Sequence, residues 1–541
     1  MEISTRRLSC AGSHLRRLSM LLLLGLSLAP APGWAEQGDK SAKPEAFEAQ
    51  LERIKHIIVI YQENWSFDSL YGGFPGANGT SRASSDALNQ IDRISGKPLT
   101  WSLGTPYNLV SGSTPVLNTP PQPLDANGNI DTRFPASFNT LLPYNAGTYL
   151  AVGDITGDIV HRYWHEQSQI NGGKMNQFIT WSDNPGLVMS YFDATNLPEG
   201  KLAQQFTMSD NLFHSAFGGS FLNHQFLIAA AAPVFPNAAT ATPSSLPVLD
   251  ASGHLTLGPN GKIVQDGKIT PVNATFEHNF AVNTIYTVNM VPTFKKTTDT
   301  DLLPSQNDSN PKDPARHFLP TIGDRLNEQK ISWKWYSGGW DAAIASTLSN
   351  PNPANPATVD PLFQWHHQPL AYFDNFAPFL PSGQRNPVSM AHLQDETNFL
   401  NDIKNKTLPH VSIIKPLGPN NEHPGYADLL TGQQHVADLV QAVQQSKYWD
   451  DCLIIITYDE NGGRWDHVPP PSIDKWGPGT RVPTIIIGPT VKRGYVDHTQ
   501  YETDSILSLI EQRFHLKPLS TRDAHADPFT HVFRSEQHDR D

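Results

Sequence analysis

"HIIVIYQENWSFDSLYGG", residues 56–73, holds an apolar run that stops abruptly at Glu63 and Asn64. Trp65, Ser66 and a second carboxylate, Asp68, follow at once. A short run rich in β-branched residues reads as a strand buried on both faces. Three further runs have the same character: "HVSIIKP" (410–416), "CLIIITY" (452–458) and "VPTIIIG" (482–488). Helical patterns lie between and after them, as in "QHVADLVQAVQQSKYW" and "TDSILSLIEQRF". Strands alternating with helices predict an α/β fold with a mostly parallel central sheet sandwiched by helices. Ligand sites in such sheets gather at the carboxyl ends of the strands. Glu63, Asn64, Asp459 and Glu460 all stand at such ends.

Length, composition and charge narrow the function. The chain has 541 residues, 17% of them charged, and a formal net charge of −13. That balance argues against a nucleic-acid binder that depends on a basic surface. Residues 1–35 read as an export signal: a basic "RRLSCAGSHLRRLSM", a short apolar "LLLLGLSLAPA", and "PGWA" before the polar "EQGDK". The expected location is therefore periplasmic or secreted. The paired arginines Arg6-Arg7 and Arg16-Arg17 leave a twin-arginine route open. No later run is apolar enough to span a bilayer. After cleavage the chain carries a net charge of −16 and one cysteine, Cys452, so disulfides do not hold it together. Cys452 opens an apolar strand and reads as a buried, inert thiol.

Residues 36–541 are expected to form a single domain with loop-rich insertions near 78–150 and 233–315, both rich in Pro, Gly, Asn, Ser and Thr. "NPNPANPATVDP" (350–361) reads as a surface loop. The aromatic stretch "SWKWYSGGWDAA" (332–343) reads as core or rim packing, with a headgroup-contacting wall as the alternative.

The second strand exit, "IIITYDENGGRWDHVPPP" (454–471), repeats the logic of the first. Acids and an amide converging from two strand ends repel one another unless a cation sits among them. Glu63, Asn64, Asp459 and Glu460 therefore suggest a divalent metal held mostly by oxygen. For any one such cluster, helix caps and a turn are the plainer explanation. In "FHSAFGGSFLNHQFLIAAAA" (213–232), Ser220 precedes a strong helix pattern, where free N–H groups favour an anion. A serine there can be a simple cap. Beside a metal it becomes a candidate nucleophile. "GGSFL" lacks the G-x-S-x-G pattern of a hydrolase elbow. His161, the His366/His367 pair and His423 complete the candidates.

Together, "QENWSFDSLYG", "GGSFLNHQF", "EHPGYAD" and "YDENGGRWDHVPPP" resemble the bacterial phospholipase C and acid phosphatase family of phosphoesterases, over about residues 53–515. The resemblance implies an alkaline phosphatase-like core. It implies that Glu63, Asn64, Ser220, Asp459 and Glu460 hold one divalent metal, with zinc and calcium the candidates. It further implies that Ser220 is the nucleophile and that Asn64, His161, His367 and His423 hold the phosphoryl oxygens. His161 is preferred to His165 on its distance to "GGKM", and His367 to His366 because it precedes "QPLAYF". Many phospholipase members have Arg where Trp65 stands and Thr at the nucleophile position, so Ser220 and "HRYWHEQSQINGGKM" look more like the acid phosphatase branch. The expected substrates are phosphate esters, hydrolysed through a phosphoserine, with phospholipid headgroups the alternative. A non-catalytic phosphate binder is the reading from another class. Several charged histidines would favour mildly acidic pH, since a free imidazole titrates near 6.5.

Overall fold

The computed structural model describes residues 44–101, 116–117, 121–233, 246–251, 253–258, 263–267, 281–284, 319–349, 362–380 and 382–534. The predicted export signal, most of the stretch 233–315, and the loop 350–361 lie outside these residues.

Eight strands form the central sheet: β1 (His56–Gln62), β2 (Thr207–Ser209), β3 (Trp333–Ser337), β4 (Leu393–Asp395), β5 (Val411–Lys415), β6 (Cys452–Tyr458), β7 (Thr484–Ile487) and β8 (Tyr495–Asp497). Their order is β8-β2-β7-β6-β1-β5-β3-β4. The predicted strands β1, β5 and β6 lie side by side and parallel at the centre. Every residue of β5 and β6 is buried, as are Ile57–Gln62 of β1. This is why their sequences run apolar without alternation.

The predicted strand at 482–488 forms as β7 but is antiparallel to both neighbours, alone in the sheet. Residues 459–483 contain no helix. Without a crossover helix the chain returns alongside β6 in the opposite sense. Strands β2, β4 and β8 are three residues each, too short to stand out as runs. The aromatic stretch at 332–343 supplies β3 and the start of the helix Trp340–Ser349. Trp335 and Trp340 are among the largest fully buried side chains, so this stretch is core.

Helices cover both faces. They are α1 (Pro44–Arg53), α2 (Tyr163–Ile170), α3 (Pro198–Gln205), α4 (Ser220–Ala229), α5 (Thr397–Asn405), α6 (Leu429–Gln444) and α7 (Asp504–Phe514). Helix α6 packs on α3 and α5, and α7 packs on α1 and α4. Successive strand residues point to opposite faces. Tyr61 reaches toward α4, its hydroxyl 3.5 Å from Asn223 O. Tyr458, the register partner of the next residue Gln62, reaches Glu199 on α3. Among the described residues no helix is long and apolar enough to cross a membrane.

Candidate active site

Register brings the two acidic exits together. Gln62 pairs with Tyr458 at the ends of β1 and β6, so Glu63 and Asp459 leave the sheet at one level. Asn64 turns there with φ +68°, a left-handed conformation that asparagine tolerates better than most residues. Its backbone N–H donates to Asp459 Oδ1 at 3.1 Å, which fixes the turn. Gly462 has φ +61° beneath it, and a Cβ there would stand 2.3 Å from Asn64 O. The glycine lets the second exit lie flat against the first.

Ser220 is the first residue of α4, behind Gly219 in extended conformation. The loop before it is pinned from two sides. Asn223 Nδ2 donates to Ala216 O, Gly218 O and Gly219 O at 3.0, 3.2 and 3.3 Å. Glu166 on α2 accepts from Gly218 N at 2.7 Å, from Thr480 N at 2.9 Å, and lies 2.8 Å from His214 Nε2. Gly218 has φ +93°, and a Cβ would meet Tyr163 N at 2.5 Å. The result aims Ser220 Oγ at Glu63 Oε2, 3.0 Å away, with both residues buried.

The predicted metal ligands show a shortage of positive charge. Asn64 Oδ1, Asp459 Oδ2 and Glu460 Oε1 are buried with no hydrogen-bond donor. Burial, and then the charge of Glu63, pushes the Asp459 carboxyl well up. Burial, and then Asp459, does the same to Glu460. For Glu63, burial works upward, but the Lys415 ammonium and His367 overcome it and hold the carboxyl well below its usual range. Buried oxygens without donors, beside carboxylates forced toward protonation, fit the oxygen-rich donor set of a divalent cation. Glu63, Asn64, Asp459, Glu460 and Ser220 are the residues that would hold it.

Asn64 Nδ2 lies 3.3 Å from His161 Nε2 and 3.1 Å from His423 Nε2. Each imidazole turns its Nδ1 to a backbone carbonyl, of Ile159 and Pro424 respectively, so both Nε2 atoms face Asn64. The ring of His423 stacks on Tyr426 with centroids 4.4 Å apart. His165 is placed elsewhere, its Nδ1 3.5 Å from Asp266. His367 Nε2 lies 3.1 Å from Glu63 Oε1, whereas His366 packs edge-on against His367 and His224. Burial lowers His367 to about 4 and takes His224 and His366 well down. Burial thus favours the neutral form of all three rings.

Two site residues escaped the sequence reading. Lys415 ends β5 and donates to Glu63 Oε1 and to Tyr61 O. Its signal was a lysine closing an apolar strand, in the quoted "HVSIIKP". His224, buried, stands one helical turn after Ser220 and turns its Nδ1 to Ser220 O at 2.7 Å. The spacing Ser220-x-x-x-His224 places both on one helix face. Asp68, Asp466 and His467, by contrast, form a closed structural network around Arg481. Arg481 binds Asp466 at 2.9 Å and Asp68 at 3.1 Å, and His467 Nδ1 is 2.6 Å from Asp68 Oδ2. Cys452 is buried, and burial pushes its thiol up to about 12, an inert state.

The phosphoesterase family model matches residues 54–517. Non-specific phospholipase C6 of Arabidopsis thaliana is 32% identical over 172 residues, 26% of this chain and 33% of that protein. Phospholipase C B of Mycobacterium tuberculosis is 22% identical over 500 residues, 86% of this chain and 74% of that protein. The chain thus spans about a third of the Arabidopsis relative's length. A solved alkaline phosphatase superfamily protein from Vibrio parahaemolyticus has 10% identity and a TM-score of 0.28, over 61% of this chain and 63% of its own. With the family model covering both strand exits, the Ser220 helix and all four histidines, the chain belongs to the phosphoesterase family.

Proposed function

We propose that this chain is an exported, metal-dependent phosphomonoesterase of acid phosphatase type, with Ser220 as nucleophile. The observation that carries the reading is Ser220 Oγ, held 3.0 Å from Glu63 Oε2 at a helix N-terminus beside the donor-free oxygens of Asn64, Asp459 and Glu460. A divalent ion held by Glu63, Asn64, Asp459 and Glu460 would supply Lewis-acid activation of the Ser220 hydroxyl. Ser220 Oγ attacks phosphorus in line as it gives up its proton to solvent, and the bond to the ester oxygen breaks so that the alkoxide departs. Charge on the equatorial oxygens is met by Asn64 Nδ2 and by His161 and His423 protonated at Nε2. One of these imidazoles gives its own Nε2 proton to the leaving alkoxide and recovers one from the water that attacks next. Water then attacks the phosphoserine, releasing phosphate and the free serine.

The second reading is a phospholipase C that releases diacylglycerol and a phosphorylated headgroup. It is favoured by the relatives, whose names are phospholipases C. One preparation decides between the two, with Ser220→Ala as control. We expect strong p-nitrophenyl phosphate hydrolysis that vanishes in the variant while its circular dichroism stays native. Dominant diacylglycerol release from phosphatidylcholine would move the assignment to the second reading. Full activity of Ser220→Ala would overturn both.

A further inference from the structure

Lys415 poses a question that the metal site alone does not answer. A buried ammonium is costly unless it is paired. This one, 1% exposed, meets a carboxylate that a metal would also claim. The surroundings of Glu63 Oε1 explain it. His367 Nε2 stands 3.1 Å from this oxygen and His224 Nε2 stands 3.9 Å from it. These ligand-type atoms of Glu63, His224 and His367 lie within 4.8 Å of one another, and all three residues are buried.

The chemistry of the three is that of a cation pocket. His224 turns its Nδ1 to Ser220 O, so the ring proton sits there and Nε2 presents a lone pair. That Nε2 is buried without a partner, and His367 Nε2 has none of good geometry. The two rings stack with centroids 5.3 Å apart and planes within 11°. A carboxylate oxygen and two imidazole nitrogens in this arrangement make an effective ligand set for zinc.

We infer that Lys415 Nζ is the resident cation of this second pocket, and that it keeps a second metal ion out. The centre then works with one metal and one fixed ammonium. This inference rests on the metal-dependent reading above. Glu63, Asp459 and Glu460 carry three negative charges. A divalent ion and Lys415 together carry three positive ones. These charges cancel, so they offer a phosphate dianion no net repulsion. Glu63 divides its two oxygens, turning Oε1 to the Lys415 ammonium and Oε2 to the Ser220 hydroxyl.

The test is zinc stoichiometry on the full chain, stripped with a chelator, reloaded with zinc alone and counted by elemental analysis. We expect one tight equivalent in the wild type and in Lys415→Arg. Lys415→Met should take up one more, lost again in Lys415→Met combined with His224→Gln. Circular dichroism checks that each variant folds. If Lys415→Met does not fold, the wild type and His224→Gln decide. His224→Gln in the wild-type background should keep the single equivalent at unchanged affinity. A second equivalent in the wild type, loss of the first in His224→Gln, or a single equivalent in folded Lys415→Met would each overturn the inference. No zinc bound by the wild type would instead defeat the metal-dependent reading itself, and this inference with it.

Discussion

Replacing Glu422 by Gln should stabilise the protein at alkaline pH and leave it unchanged at acid pH. Glu422 directly precedes His423 and is fully buried. Its Oε1 accepts from Gln62 Nε2 at 2.8 Å and its Oε2 from the Tyr458 hydroxyl at 2.7 Å. That hydroxyl also stands 3.1 Å from Glu199 Oε2, and Gln433 lies beside both acids. Burial pushes the Glu422 carboxyl from 4.5 up to about 7, against the hydrogen bonds from Gln62, Tyr458, Glu199 and Gln433, which pull it down. Burial and the charge of Glu422 raise Glu199 well above its usual range, so the pair holds a proton between them.

A carboxyl raised on folding binds its proton more tightly in the folded state. Its contribution is therefore fully present below about pH 4.5 and is lost as pH rises through about 7. At about 1.4 kcal/mol per tenfold change, the loss is about 3 kcal/mol. Gln keeps its amide oxygen toward Gln62 and turns its NH2 to Tyr458, whose hydroxyl then accepts and still donates to Glu199. The variant has no proton to lose. Guanidinium unfolding of metal-loaded protein, followed by tryptophan fluorescence, should show coincident midpoints near pH 4.5. Near pH 8 the variant should gain about 3 kcal/mol. Parallel pH slopes for the two proteins would refute the argument.

Glu166→Gln should lower kcat for p-nitrophenyl phosphate about 10- to 100-fold with little change in KM, since small misplacement of a reacting group costs rate before binding. One amide oxygen cannot accept from both Gly218 N and Thr480 N, so the Ser220 loop loses a tether; an unchanged kcat would count against this. Arg481→Met should destabilise the fold by about 3–5 kcal/mol, because Asp68 and Asp466 remain buried without their cation. A loss under about 1 kcal/mol in denaturant unfolding would show that the network is not ionised. Asp459→Ala and Glu63→Ala should each lose tightly bound metal in elemental analysis while circular dichroism stays native; retention of metal in both would remove them from the ligand set.

The sequence by itself determined the three central strands, the helices α4, α6 and α7 beside them, and what the strands β1 and β6 carry at their ends. Continuous burial leaves a continuous apolar run, and the run must stop where the chain reaches water or a site. That local rule sufficed for Glu63, Asn64, Asp459 and Glu460, and for Ser220 ahead of α4. Three-residue strands such as Thr207–Ser209 left no run to read. The reversed sense of β7 depended on the absence of a helix between 459 and 483, which an irregular stretch does not announce. Only the tertiary structure decided which distant groups share Glu63. Lys415 is 352 residues away in the chain, and its ammonium reaches Glu63 because β1 and β5 pair in one register. Glu63 meets Ser220 over a separation of 157 residues, through helix packing on the sheet face. Strand pairing and helix docking create these contacts between residues with no local relation, so the electrostatics of the centre arise only once the chain has folded.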